Sequence, residues 1–135
     1  MALIKWTKKY SVGVKAMDDQ HIKLVEFLNE LHAAMLKGRG QSVTDSLLKK
    51  LTDYTLEHFT DEKAMLEAVT YPGLTKQREE HREESRKLEE YVARYKQGDQ
   101  AMYPQLLLFL DKWLRDHMLG EDKLYTAWMN DHGIR

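Results

Sequence analysis

Four stretches of this chain repeat their inward-type residues every three or four positions, the period of one face of an α-helix. The first runs through His21, Leu24, Leu28, Leu31 and Met35, and the second through Leu47, Leu51, Tyr54, His58, Glu62 and Met65. The third carries Gln77, His81, Leu88, Tyr91 or Val92, and Tyr95, and the fourth Leu106, Leu110, Trp113 and His117. With only 7 Gly and 2 Pro, the helix breakers are scarce, and they fall where the pattern stops. Gly38-Arg39-Gly40, Tyr71-Pro72-Gly73 and Gly98-Asp99 therefore read as joints. Asp18 is the expected N-cap of a first helix that ends near Lys37. Ser42 with Asp45 resembles a capping box that opens the second helix, and Pro104 suits the first turn of the fourth. No stretch sustains the alternation of a strand. The expected fold is all-α, an up-down-up-down four-helix bundle over about residues 18–120. An arm, 1–17, containing Trp6 and Tyr10 precedes the bundle, and a short C-terminal tail follows it. The expectation is a single domain over 1–135.

Composition narrows the function classes. Lys plus Arg number 21 and Asp plus Glu 22, a near-balance that argues against a nucleic-acid binder. The longest apolar run, Leu106 to Leu110, is far too short to insert in a membrane, and Lys5, Lys8 and Lys9 interrupt any signal-peptide core. A cytoplasmic location is the expectation. The chain has no cysteine, which removes disulfides, zinc–cysteine sites, iron–sulfur clusters and thiol nucleophiles together.

The inner stripes are not wholly apolar, and a buried His or Glu needs a partner. His21 lies at the start of the first helix and His58 with Glu62 near the end of the second. Gln77 and His81 open the third helix, and His117 closes the fourth. In an antiparallel bundle these four ends coincide, so the polar residues meet in one layer. His58 and Glu62, like Gln77 and His81, are spaced i, i+4 and point the same way. Asp122 follows His117 by five residues, which turns it about 140° away on an ideal helix. A π-bulge or loosened turn at Gly120 would bring it back. Four imidazoles and two carboxylates in an apolar core make a poor hydrogen-bond network and a good metal site, best suited to iron ahead of zinc or manganese. His32, roughly 16 Å farther along its helix than His21, is too distant to join and reads as structural. His132 reads as a solvated tail residue, and the charges Arg78-Glu79-Glu80 and Arg82-Glu83-Glu84 on either side of His81 as a wet helix face. Paired Glu-x-x-His motifs of ferritin-like bundles are missing, because Thr55, Arg78 and Leu114 precede His58, His81 and His117 by three.

These residues resemble the hemerythrin family, and within it the single-domain bacterial members. The family pattern is a lone His, then His-x-x-x-Glu, His-x-x-x-His and His-x-x-x-x-Asp. The chain supplies His21, His58 to Glu62, Gln77 to His81 and His117 to Asp122. Trp6, Val12-Gly13-Val14 and the run Asp19-Gln20-His21 add to the likeness. One departure stands out: Gln77 occupies a histidine position of the pattern. The resemblance implies two iron ions joined by an oxo or hydroxo bridge, one on Gln77, His81 and His117, the other on His21 and His58. Glu62 and Asp122 would be the bridging carboxylates, and Leu24, Phe59, Trp113, Leu114 and Met118 the apolar pocket for dioxygen. It also implies a monomeric oxygen carrier, store or delivery protein, not an enzyme, since no side chain has to act as acid or base. An oxygen-consuming enzyme would be the recipient, and Gln77 would alter oxygen affinity or autoxidation. The alternatives are an oxygen or redox sensor and an oxidase- or peroxidase-like di-iron protein. A sensor needs an output domain, for which 135 residues are not expected to leave room.

Overall fold

The computed structural model describes residues 3–38, 41–98 and 102–135, so Arg39, Gly40 and Asp99 of the expected joints lie outside the described residues. Helices α1 (Lys15–Leu36), α2 (Gln41–Ala68), α3 (Leu74–Lys96) and α4 (Met102–Asp116) follow one another in the chain. Each packs on the next, and α4 returns to α1, which closes a four-helix bundle. After α4 come a π-turn (His117–Glu121), a 3₁₀ turn (Asp122–Tyr125) and a short helix, α5 (Thr126–Asp131). Among the described residues there is no strand, and no helix is long and apolar enough to cross a membrane.

Two expected caps fall elsewhere. Helix α1 begins at Lys15, with Val14 in extended conformation as its N-cap, so Asp18 stands inside the first turn. Its carboxylate accepts hydrogen bonds from the Ser11 hydroxyl (2.6 Å) and the Val12 N–H (2.8 Å). The carboxylate fastens the arm to the helix, and the helix gains a turn before it. Ser42 likewise lies within α2, and Asp45 accepts the Tyr95 hydroxyl of α3 at 2.5 Å.

The buried row of α2 is turned by about one residue from the apolar stripe. Thr44, Leu48, Leu51, Thr55, His58, Glu62 and Leu66 are buried, whereas Leu47, Tyr54 and Met65 are half-buried. Two threonines hide this row from an apolar count. Thr55 is tolerated inside because its hydroxyl donates to the Leu51 carbonyl at 2.7 Å, so no polar group is stranded.

The apolar interior is in two parts. The larger holds Leu24, Leu28 and Leu31 of α1, Leu48 and Leu51 of α2, Leu88 of α3, and Leu106 and Leu110 of α4. The smaller holds Val12, Val14, Met17, Leu66, Tyr125 and Met129 at the bundle end where α1 starts and α2 finishes. The last residues, expected as a tail, therefore form a cap, with Met129 of α5 fully buried. Cap and arm are stitched together by Thr126 Oγ1–H to the Val12 carbonyl (2.6 Å) and Asn130 Nδ2–H to the Gly13 carbonyl (2.9 Å).

Gly13 has φ +71°, and a Cβ there would sit 2.6 Å from Thr126 Cγ2. Gly38 has φ +58° with nothing within 4 Å of a Cβ. Gly38→Ala should cost only the left-handed backbone penalty, about 1–2 kcal/mol. Gly13→Ala should lower the melting temperature by more, because it also pushes α5 away from the arm. Equal losses would show that the arm–cap contact contributes little.

Candidate metal centre

The polar layer lies between the two apolar regions. His21 comes from α1, His58 and Glu62 from α2, Gln77 and His81 from α3, and His117 and Asp122 from the turn after α4. All are buried, with His21, Glu62, His117 and Asp122 at 0% exposure. The turn explains how Asp122 arrives. Its N–H bonds back to the His117 carbonyl five residues earlier, so the extra residue returns Asp122 to the face of His117. Asp122 Oδ2 then lies 2.8 Å from Nε2 of both His117 and His21.

The other distances are equally short. His58 Nε2 is 3.1 Å from His21 Nε2 and 3.0 Å from His117 Nε2. Glu62 Oε2 lies 3.4 Å from His58 Nε2, and Glu62 Oε1 lies 3.0 Å from His81 Nε2. The Gln77 amide nitrogen is 3.1 Å from Glu62 Oε1, 2.9 Å from Asp122 Oδ1 and 3.5 Å from His81 Nε2. The layer thus gathers every site residue expected from the four stripes. His32 Nδ1 and His132 take no part: His132 is exposed and its Nδ1 lies 2.7 Å from the Trp128 carbonyl.

Partners on the far atoms aim these groups, and spacing alone did not reveal them. The Gln20 amide oxygen lies 2.6 Å from His58 Nδ1, and its amide nitrogen donates to Asp61 at 3.0 Å. Glu121 Oε2 is 3.0 Å from His117 Nδ1, and the Tyr125 hydroxyl donates to Glu62 Oε2 at 3.0 Å. With Nδ1–H turned to Gln20 and to Glu121, His58 and His117 both direct Nε2 inward, the tautomer a metal ligand needs. Gln20 and Glu121 adjoin residues that spacing had singled out. For Tyr125 the sequence carries no such signal, because its partner is 63 positions away.

Without a cation the layer is held by protons. Burial raises the pKa of Glu62, but the charge on His117 and His58 outweighs it and holds the carboxyl well below the usual range. Burial and then the Glu62 charge push Asp122 well above. Burial pulls His117 down, yet Asp122 and Glu62 lift it well above an ordinary imidazole. Burial, with His58 and His117 beside it, drives His21 well below. Farther out, burial and the Glu121 hydrogen bond push Glu84 up to about 9.

Two atoms are left over: buried His21 Nδ1 and Asp122 Oδ2 have no aligned hydrogen-bond partner. Inward lone pairs, an orphaned carboxylate oxygen and mixed nitrogen and oxygen donors fit a cation. The donors form two overlapping sets. His21, His58, Glu62, His117 and Asp122 offer atoms within 4.8 Å of one another, as do His81, His117, Glu121 and Asp122. Around them Leu24, Phe59, Trp113, Leu114 and Met118 are buried in the larger apolar region. Phe59 stacks on His81 at 4.1 Å, and Trp113 on His117 at 5.5 Å. These two aromatic members of the expected pocket therefore face the His81–His117 side as well.

Known proteins agree with this geometry. The model of the hemerythrin HHE cation binding domain matches residues 12–129. A bacteriohemerythrin of Stenotrophomonas maltophilia is 29% identical over 98% of this chain and 85% of its own. One of Pseudomonas aeruginosa is 30% identical over 93% of this chain and 81% of its own. The crystal structure of wild-type hemerythrin superposes with a TM-score of 0.86 at 26% identity, covering 93% of this chain and 97% of that one. A hemerythrin with a leucine-to-alanine substitution gives 0.87 over 94% and 97%. A buried donor layer fed by every helix of the bundle, and a family match that spans it from arm to cap, lead to one assignment: the chain belongs to the hemerythrin family.

Proposed function

We propose that this chain is a non-haem di-iron protein that binds dioxygen reversibly, for carriage, storage or delivery. The observation that carries the reading is the layer itself, with four imidazoles and two carboxylates buried together and Asp122 Oδ2 without an aligned hydrogen-bond partner. Iron would be held by His21 and His58 on one side and by His81, His117 and Gln77 on the other, with Glu62 and Asp122 between them. When bound, a di-iron centre supplies the electrons and the open position that dioxygen requires. The chain's part is to aim the ligands and keep the layer dry. Gln20 and Glu121 do the first through the outer ring nitrogens of His58 and His117, and Tyr125 through Glu62 Oε2. Leu24, Leu114 and Met118, at 0%, 1% and 0% exposure, do the second. A dry apolar wall suits a carrier, because water and protons release bound oxygen in reduced form.

Iron-loaded, reduced protein should develop a visible absorption band on oxygen titration that disappears under argon. Irreversible oxidation without such a band would favour the oxidase- or peroxidase-like alternative and overturn the carrier reading.

Leu114→Ala should open a path for water and speed autoxidation of the oxygenated form. Leu88→Ala, in the same apolar region but on α3 beyond His81, should cost about 2–5 kcal/mol of stability without that effect. Equal autoxidation in the Leu114 variant and its parent would remove Leu114 from the pocket.

Loading should also be pH-dependent. His117 and Asp122 hold protons more tightly than free side chains do, and both must lose them to bind a cation. Iron binding near neutral pH should therefore release protons, and iron retention on dialysis should fall as the pH drops from about 7 to about 5. Retention that does not change over this range would mean that these two groups are not ligands.

A further inference from the structure

Gln77 departs from the family pattern, and the structure indicates what the amide does instead. Its nitrogen reaches two carboxylates from different elements at once, Glu62 Oε1 on α2 at 3.1 Å and Asp122 Oδ1 after the π-turn at 2.9 Å. Both acids are at 0% exposure, and Gln77 itself is 4% exposed. An amide nitrogen offers two protons and no lone pair. Turned over, the amide would lose both of these hydrogen bonds and set an acceptor oxygen against Glu62 Oε1 and Asp122 Oδ1. The two carboxylate contacts therefore hold the nitrogen inward.

We propose that the Gln77 amide is a built-in substitute for one cation: in the metal-free protein its N–H groups tie Glu62 to Asp122, and this position accepts metal only when the amide turns over. The proposal rests on the di-iron reading above. The amide oxygen is the only donor Gln77 can offer a metal, and it cannot point inward while the nitrogen bridges the acids. The two overlapping donor sets therefore differ. The set with His21 and His58 loads without disturbing Gln77. The set with His81, which lies 3.5 Å from the amide nitrogen, loads only by breaking both hydrogen bonds. The protein is built for one firmly held metal and one exchangeable metal, and it stays folded when the second is absent.

The sign of the effect reverses between the two states, which a purely structural role does not do. Anaerobic titration of the stripped protein with Co(II), followed by its visible absorption, should show two equivalents in two phases. The second should be roughly 10-fold or more weaker than the first. In Gln77→His the two phases should merge at the tighter affinity. Stripped Gln77→His should melt lower than the stripped parent by about 5 °C, whereas loaded Gln77→His should melt higher than the loaded parent. Gln77→Met keeps the length but has no N–H groups, so stripped Gln77→Met should also melt lower, and loaded Gln77→Met should melt no higher than the loaded parent. One phase of two equal sites in the parent, or stripped variants that melt at or above it, would overturn the proposal alone. Fewer than two equivalents in both the parent and Gln77→His would overturn the di-iron reading, and the proposal with it.

Discussion

Glu62 and Asp122 are fully buried in the same layer, and wherever either is ionised the layer must supply positive charge or protons to it. Much of the architecture meets that demand. Four imidazoles surround the acids, the Tyr125 hydroxyl and the Gln77 amide donate to them, and His117 holds a proton between them in the absence of a cation. The two apolar regions on either side keep water from doing the same work. Bound metal would replace the proton-held arrangement with positive charge shared among the donors of both sets. The fold is in this sense organised around a charge that the polypeptide cannot supply by itself.

The closing turn is as necessary as the helices. A regular continuation of α4 would carry Asp122 to the outside and leave the layer with one carboxylate. The π-turn over His117–Glu121 inserts the one residue needed, and the 3₁₀ turn and α5 then fold back as a cap over the arm. The same segment delivers the Asp122 carboxylate to the layer, Glu121 to His117 and Tyr125 to Glu62. Its distortion is thus tied to the site, as π-turns in helical proteins often are.

Much of this was legible in the sequence because helix period and helix order are enough to place polar residues in a layer. His21, His58, Glu62, His81 and His117 needed nothing more. Asp122 needed the misfit of a five-residue spacing beside Gly120, and the π-turn resolves it. The register of α2 was harder to see. Thr44 and Thr55 face inward, so an apolar count drifts to Leu47 and Tyr54. The cap was not visible either, since Val12, Gly13, Thr126 and Asn130 meet across more than a hundred positions. Spacing can align residues on one helix but cannot say which atom of Gln20 or Tyr125 meets a ligand from another. Nor can it show that the Gln77 amide presents nitrogen to two acids.

If the layer holds metal, thermal melting of loaded and stripped protein, with iron counted per chain, should register it. Six buried imidazole and carboxylate groups converge there, with Asp122 Oδ2 lacking an aligned partner, so filling the layer should raise the stability of the whole bundle. Loaded protein should carry two irons per chain and melt clearly higher than stripped protein. Stripped and loaded protein melting at the same temperature would contradict it, because the layer would then be satisfied by its own hydrogen bonds.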